Sequence, residues 1–175
     1  MRSVGVFAVV VLALVCFGQE PPPSQAARRL DFVSVAKLEG AFEQKLKTLD
    51  SNDSVALLGA CSGVYVSGYG LVFTIPLSLI PAPSMGPFGG AMTPQKADNI
   101  HKRMQAQLPV VKKALNDMLM QAAKTYPDLP AGEKLAVAVR LFYLDSEDKT
   151  GLPNQIVVSA DRASALAGAI RVDGQ

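Results

Sequence analysis

Gly59-Ala60-Cys61-Ser62-Gly63 places a cysteine at the centre of G-x-C-x-G. A thiolate in that pattern could attack an acyl carbon, with the backbone N–H groups of the turn holding the oxyanion. Such chemistry needs a base. The chain has one histidine, His101, forty residues further on, with Asp98 just before it. Cys61 and His101 are therefore the pair a small cysteine hydrolase would have to use.

The surrounding sequence argues against that use. A nucleophile elbow is a strand, a tight turn and a helix. Here the motif runs into "VYVSGYGLVFT", which is β-branched and punctuated by glycine, the pattern of a second strand. "GACSG" is similar to the Q-A-C-x-G signature of caspases, which implies a histidine upstream, and none lies upstream of Cys61. "SGVYVSGYGLVFT" resembles the opening hairpin of trypsin-like secreted proteases. That family carries a histidine directly after the hairpin, where this chain has Thr74-Ile75-Pro76-Leu77, and it carries G-x-S-G-G, which this chain lacks. No catalytic role carries over. Cys61 reads as a small apolar strand residue beside a glycine bulge.

Other chemistry finds little support. Neither H-x-x-x-H nor C-x-x-C occurs, so no metal site is expected. The glycine-rich loop from Met85 to Met92 lacks the Lys-Ser/Thr of a phosphate loop, so no nucleotide cofactor is expected. The loop Pro81–Met92 is rather apolar. It suits a mobile binding element, a roof for a small ligand, or a bare connection. Lys112-Lys113 and His101-Lys102-Arg103 read as a solvated helix face.

The residues must be positioned by the following elements. Asp31 can cap a helix to about Leu49, with Val35, Leu38, Phe42, Leu46 and Leu49 as its apolar stripe. Val55–Val66 and Leu71–Leu79 form a hairpin around Ser67-Gly68-Tyr69-Gly70. Pro76 must end the second strand, force a bulge, or mark a sheet edge. Thr93 caps a long helix that has Pro94 in its first position. The stripe Ile100, Met104, Leu108, Val111, Leu115, Met118, Ala122 keeps phase through Pro109, so one kinked helix is expected. Lys134–Leu144 reads as a central strand, in hairpin with Gln155–Ser159. Asp161 caps a short helix to about Ala169, and 171–175 should fray.

The fold class is α+β. A two-layer domain is expected, with a mainly antiparallel sheet of two β-hairpins, a long kinked helix between them and flanking helices. This order is similar to that of profilin-like and roadblock-like domains, a likeness that implies a fold and no function.

Residues 1–18 read as a signal peptide: Arg2 in a short positive start, an uncharged apolar run from Val4 to Phe17, and small residues before a cut after Gly18. Residues 19–30 are a proline-rich spacer, and 31–170 are one domain. The protein should be exported, to a bacterial periplasm or outside the cell. The alternative is a membrane anchor through an uncleaved signal or a lipid on Cys16. After cleavage no stable membrane span is expected. Sixteen basic residues then face fifteen acidic ones, which gives no footprint for nucleic acid. Cys61 remains as the lone cysteine, so no intrachain disulfide can form. The reading is an exported, non-enzymatic domain without cofactor or metal, acting by protein interaction or self-association. Small-ligand binding and a Cys61–His101 hydrolase are the alternatives.

Overall fold

The computed structural model describes residues 32–49, 55–81, 93–130 and 132–174. They fold as mixed helix and sheet, an α+β chain. Asp31 and most of the Pro81–Met92 loop lie outside these residues, as do the signal and spacer segments. The elements run α1 (Phe32–Lys47), β1 (Ala56–Leu57), β2 (Ser62–Val66), β3 (Gly70–Ser78), α2 (Pro94–Thr125), β4 (Lys134–Leu141), β5 (Gln155–Asp161), α3 (Arg162–Leu166) and β6 (Arg171–Gly174).

The sheet has the order β1-β3-β4-β5-β6, with β2 also paired to β3 on the side of β1. The hairpins β2–β3 and β4–β5 are antiparallel. Between them β3 and β4 run parallel from Gly70↔Lys134 to Leu77↔Leu141. A parallel pair needs a crossover, and α2 supplies it. β4 is thus central, as its two-sided apolar pattern implies.

Helix α2 is built by local rules. The Thr93 hydroxyl accepts from the Lys96 N–H at 3.3 Å, and Pro94 follows in the first turn. The helix is continuous through Pro109, because the lost N–H bond is one among many and the apolar stripe stays in phase. Ile100, Met104, Val111, Leu115, Met118 and Ala122 of that stripe are buried. On α1 the stripe is Val35, Leu38, Phe42 and Leu46, and the Phe42 ring meets Phe73 edge-on at 4.9 Å.

One face of the sheet meets these stripes. Leu71, Phe73, Ile75 and Leu77 of β3, Leu135, Val137, Val139 and Leu141 of β4, and Ile156 and Val158 of β5 share one core with both long helices. Registers such as Phe73↔Val137↔Val158 keep these side chains in rows.

Two expectations need correction. The first strand of the opening hairpin is broken into β1 and β2, for a reason given below. The tail is not frayed over 171–174. Arg171–Gly174 pairs with Ile156–Ser159, with Val172 beside Val158. The short helix before it ends at Leu166. Gly168 takes φ +76, the Gly168 N–H bonds Ala165 O at 3.2 Å and the Ala169 N–H bonds Ser164 O at 2.9 Å, a left-handed cap that turns the chain back to the sheet.

Candidate functional site

The G-x-C-x-G motif lies in the break between β1 and β2. The Leu58 N–H donates to Pro76 O at 3.1 Å, and Ser62 pairs with Thr74. Gly59, Ala60 and Cys61 therefore lie opposite Ile75 alone, and the chain bulges. Pro76 explains where. Its carbonyl faces β1, so its nitrogen does too, and the reciprocal bond to Leu58 cannot form. Its partners on the other side are undisturbed, because β4 bonds the odd residues of β3: the Phe142 N–H donates to Leu77 O at 2.9 Å. A proline is tolerated inside the sheet because its missing donor faces the bulge.

Both glycines of the motif are steric. A Cβ on Gly59 would lie 2.9 Å from Pro76 Cγ. One on Gly63 would lie 2.6 Å from Val35 Cγ1 and 2.8 Å from the Phe73 ring. Gly63 lets α1 settle onto the edge of the sheet. From α1, two carboxylates one turn apart reach the bulge. The Gly63 N–H donates to Glu39 Oε1 at 2.6 Å, and the Cys61 N–H donates to Glu43 Oε1 at 2.9 Å. These two amides point away from β3, and in an open edge strand they would face solvent. Glu39 and Glu43 are functional in this structural sense and were not singled out from sequence. Their spacing of four beside a buried stripe was the available signal.

Cys61 itself is buried. Burial, then the Glu39 carboxylate, then the Glu43 carboxylate push its thiol up to about 12. A nucleophilic cysteine needs the opposite environment, one that favours the thiolate. His101 is committed elsewhere. Its Nδ1–H donates to Asp148 O at 2.9 Å, and its Nε2 accepts from Gln105 Nε2 at 2.8 Å. The ring fastens the β4–β5 loop to α2. Asp148 in turn accepts from the Thr150 N–H at 2.9 Å, and that turn holds its carboxyl below the usual range. Both ring nitrogens are thus occupied by groups other than Cys61. Among the described residues no group of three or more His, Cys, Asp or Glu is placed to hold a metal ion, and no helix is long and apolar enough to cross a membrane. The Met85–Met92 stretch lies outside the described residues.

The thiol environment makes a prediction for stability. The folded thiol titrates near 12 against an ordinary 9.0, so the folded state keeps a proton that the unfolded chain releases. Below pH 9 both states are protonated and the group has no effect. Above it, folding loses stability progressively up to about pH 12. The Tyr143 hydroxyl, half-buried beside Glu147 and bonded to Pro153 O at 2.6 Å, is likewise held up to about 12 from 10.0 and acts in the same direction from pH 10. Denaturant melts at pH 8, 9.5 and 10.5 should show falling midpoints. Cys61→Ala should remove the part of the fall that begins at pH 9 and leave the part due to Tyr143. An unchanged slope in the variant would contradict the buried, protonated thiol.

The other face of the sheet is different in kind. Val64 and Val66 of β2 are 56% and 46% exposed, and Leu58 and Phe142, further along the strands, are exposed as well. Val72, Ala138 and Val157 continue the apolar surface inward, half-buried by their neighbours. The Arg140 guanidinium stands 5.2 Å over the Phe142 ring. Comparison with known proteins finds no matching family model, no matching curated protein and no matching solved structure.

Proposed function

We propose that this is an exported, non-enzymatic domain that acts by binding protein, through the face of its sheet that the helices leave open. The reading takes the fold as two layers, with α1, α2 and α3 on one side of the sheet. The single observation that carries it is the apolar surface on the other side: Leu58, Val64, Val66 and Phe142 exposed, with Val72, Ala138 and Val157 between them. Several large apolar side chains left in water on one face of a small domain mark a surface with a use. A protonated thiol at Cys61 and an occupied His101 ring support the absence of hydrolysis.

Photo-crosslinking residues at positions 64 and 138, on the open face, test this against the same residue at position 102, on the solvent side of α2. In the exported fraction of the source cells, adducts to protein should form at 64 and 138 and fall sharply when Val66→Lys is added. Equal yields at position 102, or no adducts at any position, would reject the open face as the binding surface.

A further inference from the structure

We infer that β6 is a self-association edge, at which two copies of this chain join their sheets by antiparallel pairing of Arg171-Val172-Asp173 with itself. The two edges of the sheet are unlike. At the β2 edge the outward amides of Cys61 and Gly63 are taken by Glu43 and Glu39. An added strand would have to displace both carboxylates there.

At the other edge the hydrogen-bond parity can be followed across the sheet. The N–H groups of Lys134 and Phe142 donate to Tyr69 O and Leu77 O, so even residues of β4 turn their backbone toward β3. The Leu141 N–H donates to Asn154 O, so odd residues of β4 face β5, and even residues of β5 face β4. Odd residues of β5 then face β6. With Val157↔Asp173 and Ser159↔Arg171, it is Arg171 and Asp173 that bond β5. Val172 and Gly174 turn their N–H and C=O away from the sheet, toward whatever lies beyond it.

A two-fold axis through Val172 uses these outward groups. It makes Val172 a hydrogen-bonded pair with the partner's Val172, flanked by bonded pairs of Ile170 with the partner's Gly174. It also sets Arg171 directly opposite the partner's Asp173, and Asp173 opposite the partner's Arg171. These are the non-bonded positions, where facing Cα atoms come within ~4.5 Å and side chains meet most closely. The two residues pair within one chain at present, Arg171 Nε to Asp173 Oδ2 at 2.9 Å. In the dimer the same charges are satisfied across the axis. Val172, 40% exposed on the helix side of the sheet, is covered by its counterpart. Arg171 and Asp173 flank Val172 with opposite charges, so an antiparallel second copy sets unlike charges together at both positions, which fits a second copy better than an arbitrary strand. Joining the sheets edge to edge also sets the two open faces side by side.

Sedimentation or light scattering on the purified mature chain tests the pairing. The wild type should show a concentration-dependent dimer. Arg171→Asp places only acids at the axis, and Asp173→Arg places only bases. Each variant alone should weaken the dimer about tenfold or more. An equimolar mixture of the two should recover a heterodimer, since opposite charges then face each other again. Val172→Pro should abolish the dimer and leave the β5–β6 ladder intact, because the N–H it removes points outward. A wild type that stays monomeric at its highest soluble concentration would overturn the inference. So would charge variants that dimerise like the wild type, or a mixture that recovers nothing while both variants melt normally. Loss of this dimer with crosslinking at positions 64 and 138 intact would sink the edge pairing alone and leave the open-face reading standing.

Discussion

Gly70→Ala should be severely destabilising, although it adds only one methyl group. A Cβ there would lie 1.9 Å from the Lys134 carbonyl oxygen and 2.7 Å from the Lys134 nitrogen, and φ is +126°, a region left almost entirely to glycine. Backbone cannot move aside as a flexible side chain can. Relief requires β3 and β4 to separate where their parallel pairing begins, at Gly70↔Lys134. The expected loss is about 4 kcal/mol, a large share of the total for a domain of this size. The melting midpoint should fall by about 15 °C. Gly68→Ala is the control. Its φ is +79° but nothing lies within 4 Å of the added carbon, so it should lose only about 1–2 kcal/mol. Equal effects at the two positions would mean that the close approach of the strands is not what selects glycine at 70.

Removing the two carboxylates that close the β2 edge should have the next largest effect. Glu39→Ala leaves the Gly63 amide without its partner, and Glu43→Ala does the same for Cys61. The loss of a hydrogen bond to a charged group costs about 1.5–3 kcal/mol. The sites are neighbours, so the double variant need not equal the sum. Glu39→Gln and Glu43→Gln keep an acceptor oxygen and should lose less than half as much. Two further readouts separate this account from simple loss of helix packing. The double alanine variant should aggregate more readily, because an edge strand has been uncovered. Its Cys61 thiol should also titrate lower than in the wild type, although burial, the larger cause, still holds it up. Normal solubility and an unshifted thiol would show that Glu39 and Glu43 are only surface charges.

What the sequence made legible was mostly local. Thr93 and Pro94 announce the start of α2 because a cap acts within one turn. The β2–β3 turn is readable because positive φ at Gly68 and Gly70 is a property of those residues alone. Pro76 was legible as a disturbance but not as an outcome. Whether its missing donor matters depends on which neighbour it faces, and that neighbour is the bulge rather than β4. The pairing of β3 with β4 joins distant parts of the chain, that of β5 with β6 steps across α3, and no local rule dictates either. Arg171-Val172-Asp173 is too short for its period of two to stand out from a polar tail. Glu39 and Glu43 lie off the apolar stripe of α1, and no local feature sets them apart. Their role appears only when α1 is placed against the bulge.

G-x-C-x-G shows why a motif needs its surroundings. Gly59 clears the Pro76 ring, Gly63 admits Val35, and Cys61 fills the space beneath α1. Each residue has a packing reason, and those reasons together oppose thiolate formation. The motif is therefore architecture in this account, and function is assigned to the sheet surface. Labelling of the Cys61 thiol in the native mature protein from pH 6 to 10 tests that most directly. Labelling should be slow throughout, should speed up only on unfolding, and should be unaffected by His101→Ala. Fast labelling at neutral pH that is lost when His101 is replaced would contradict it, and would return Cys61 and His101 to the centre of an active site.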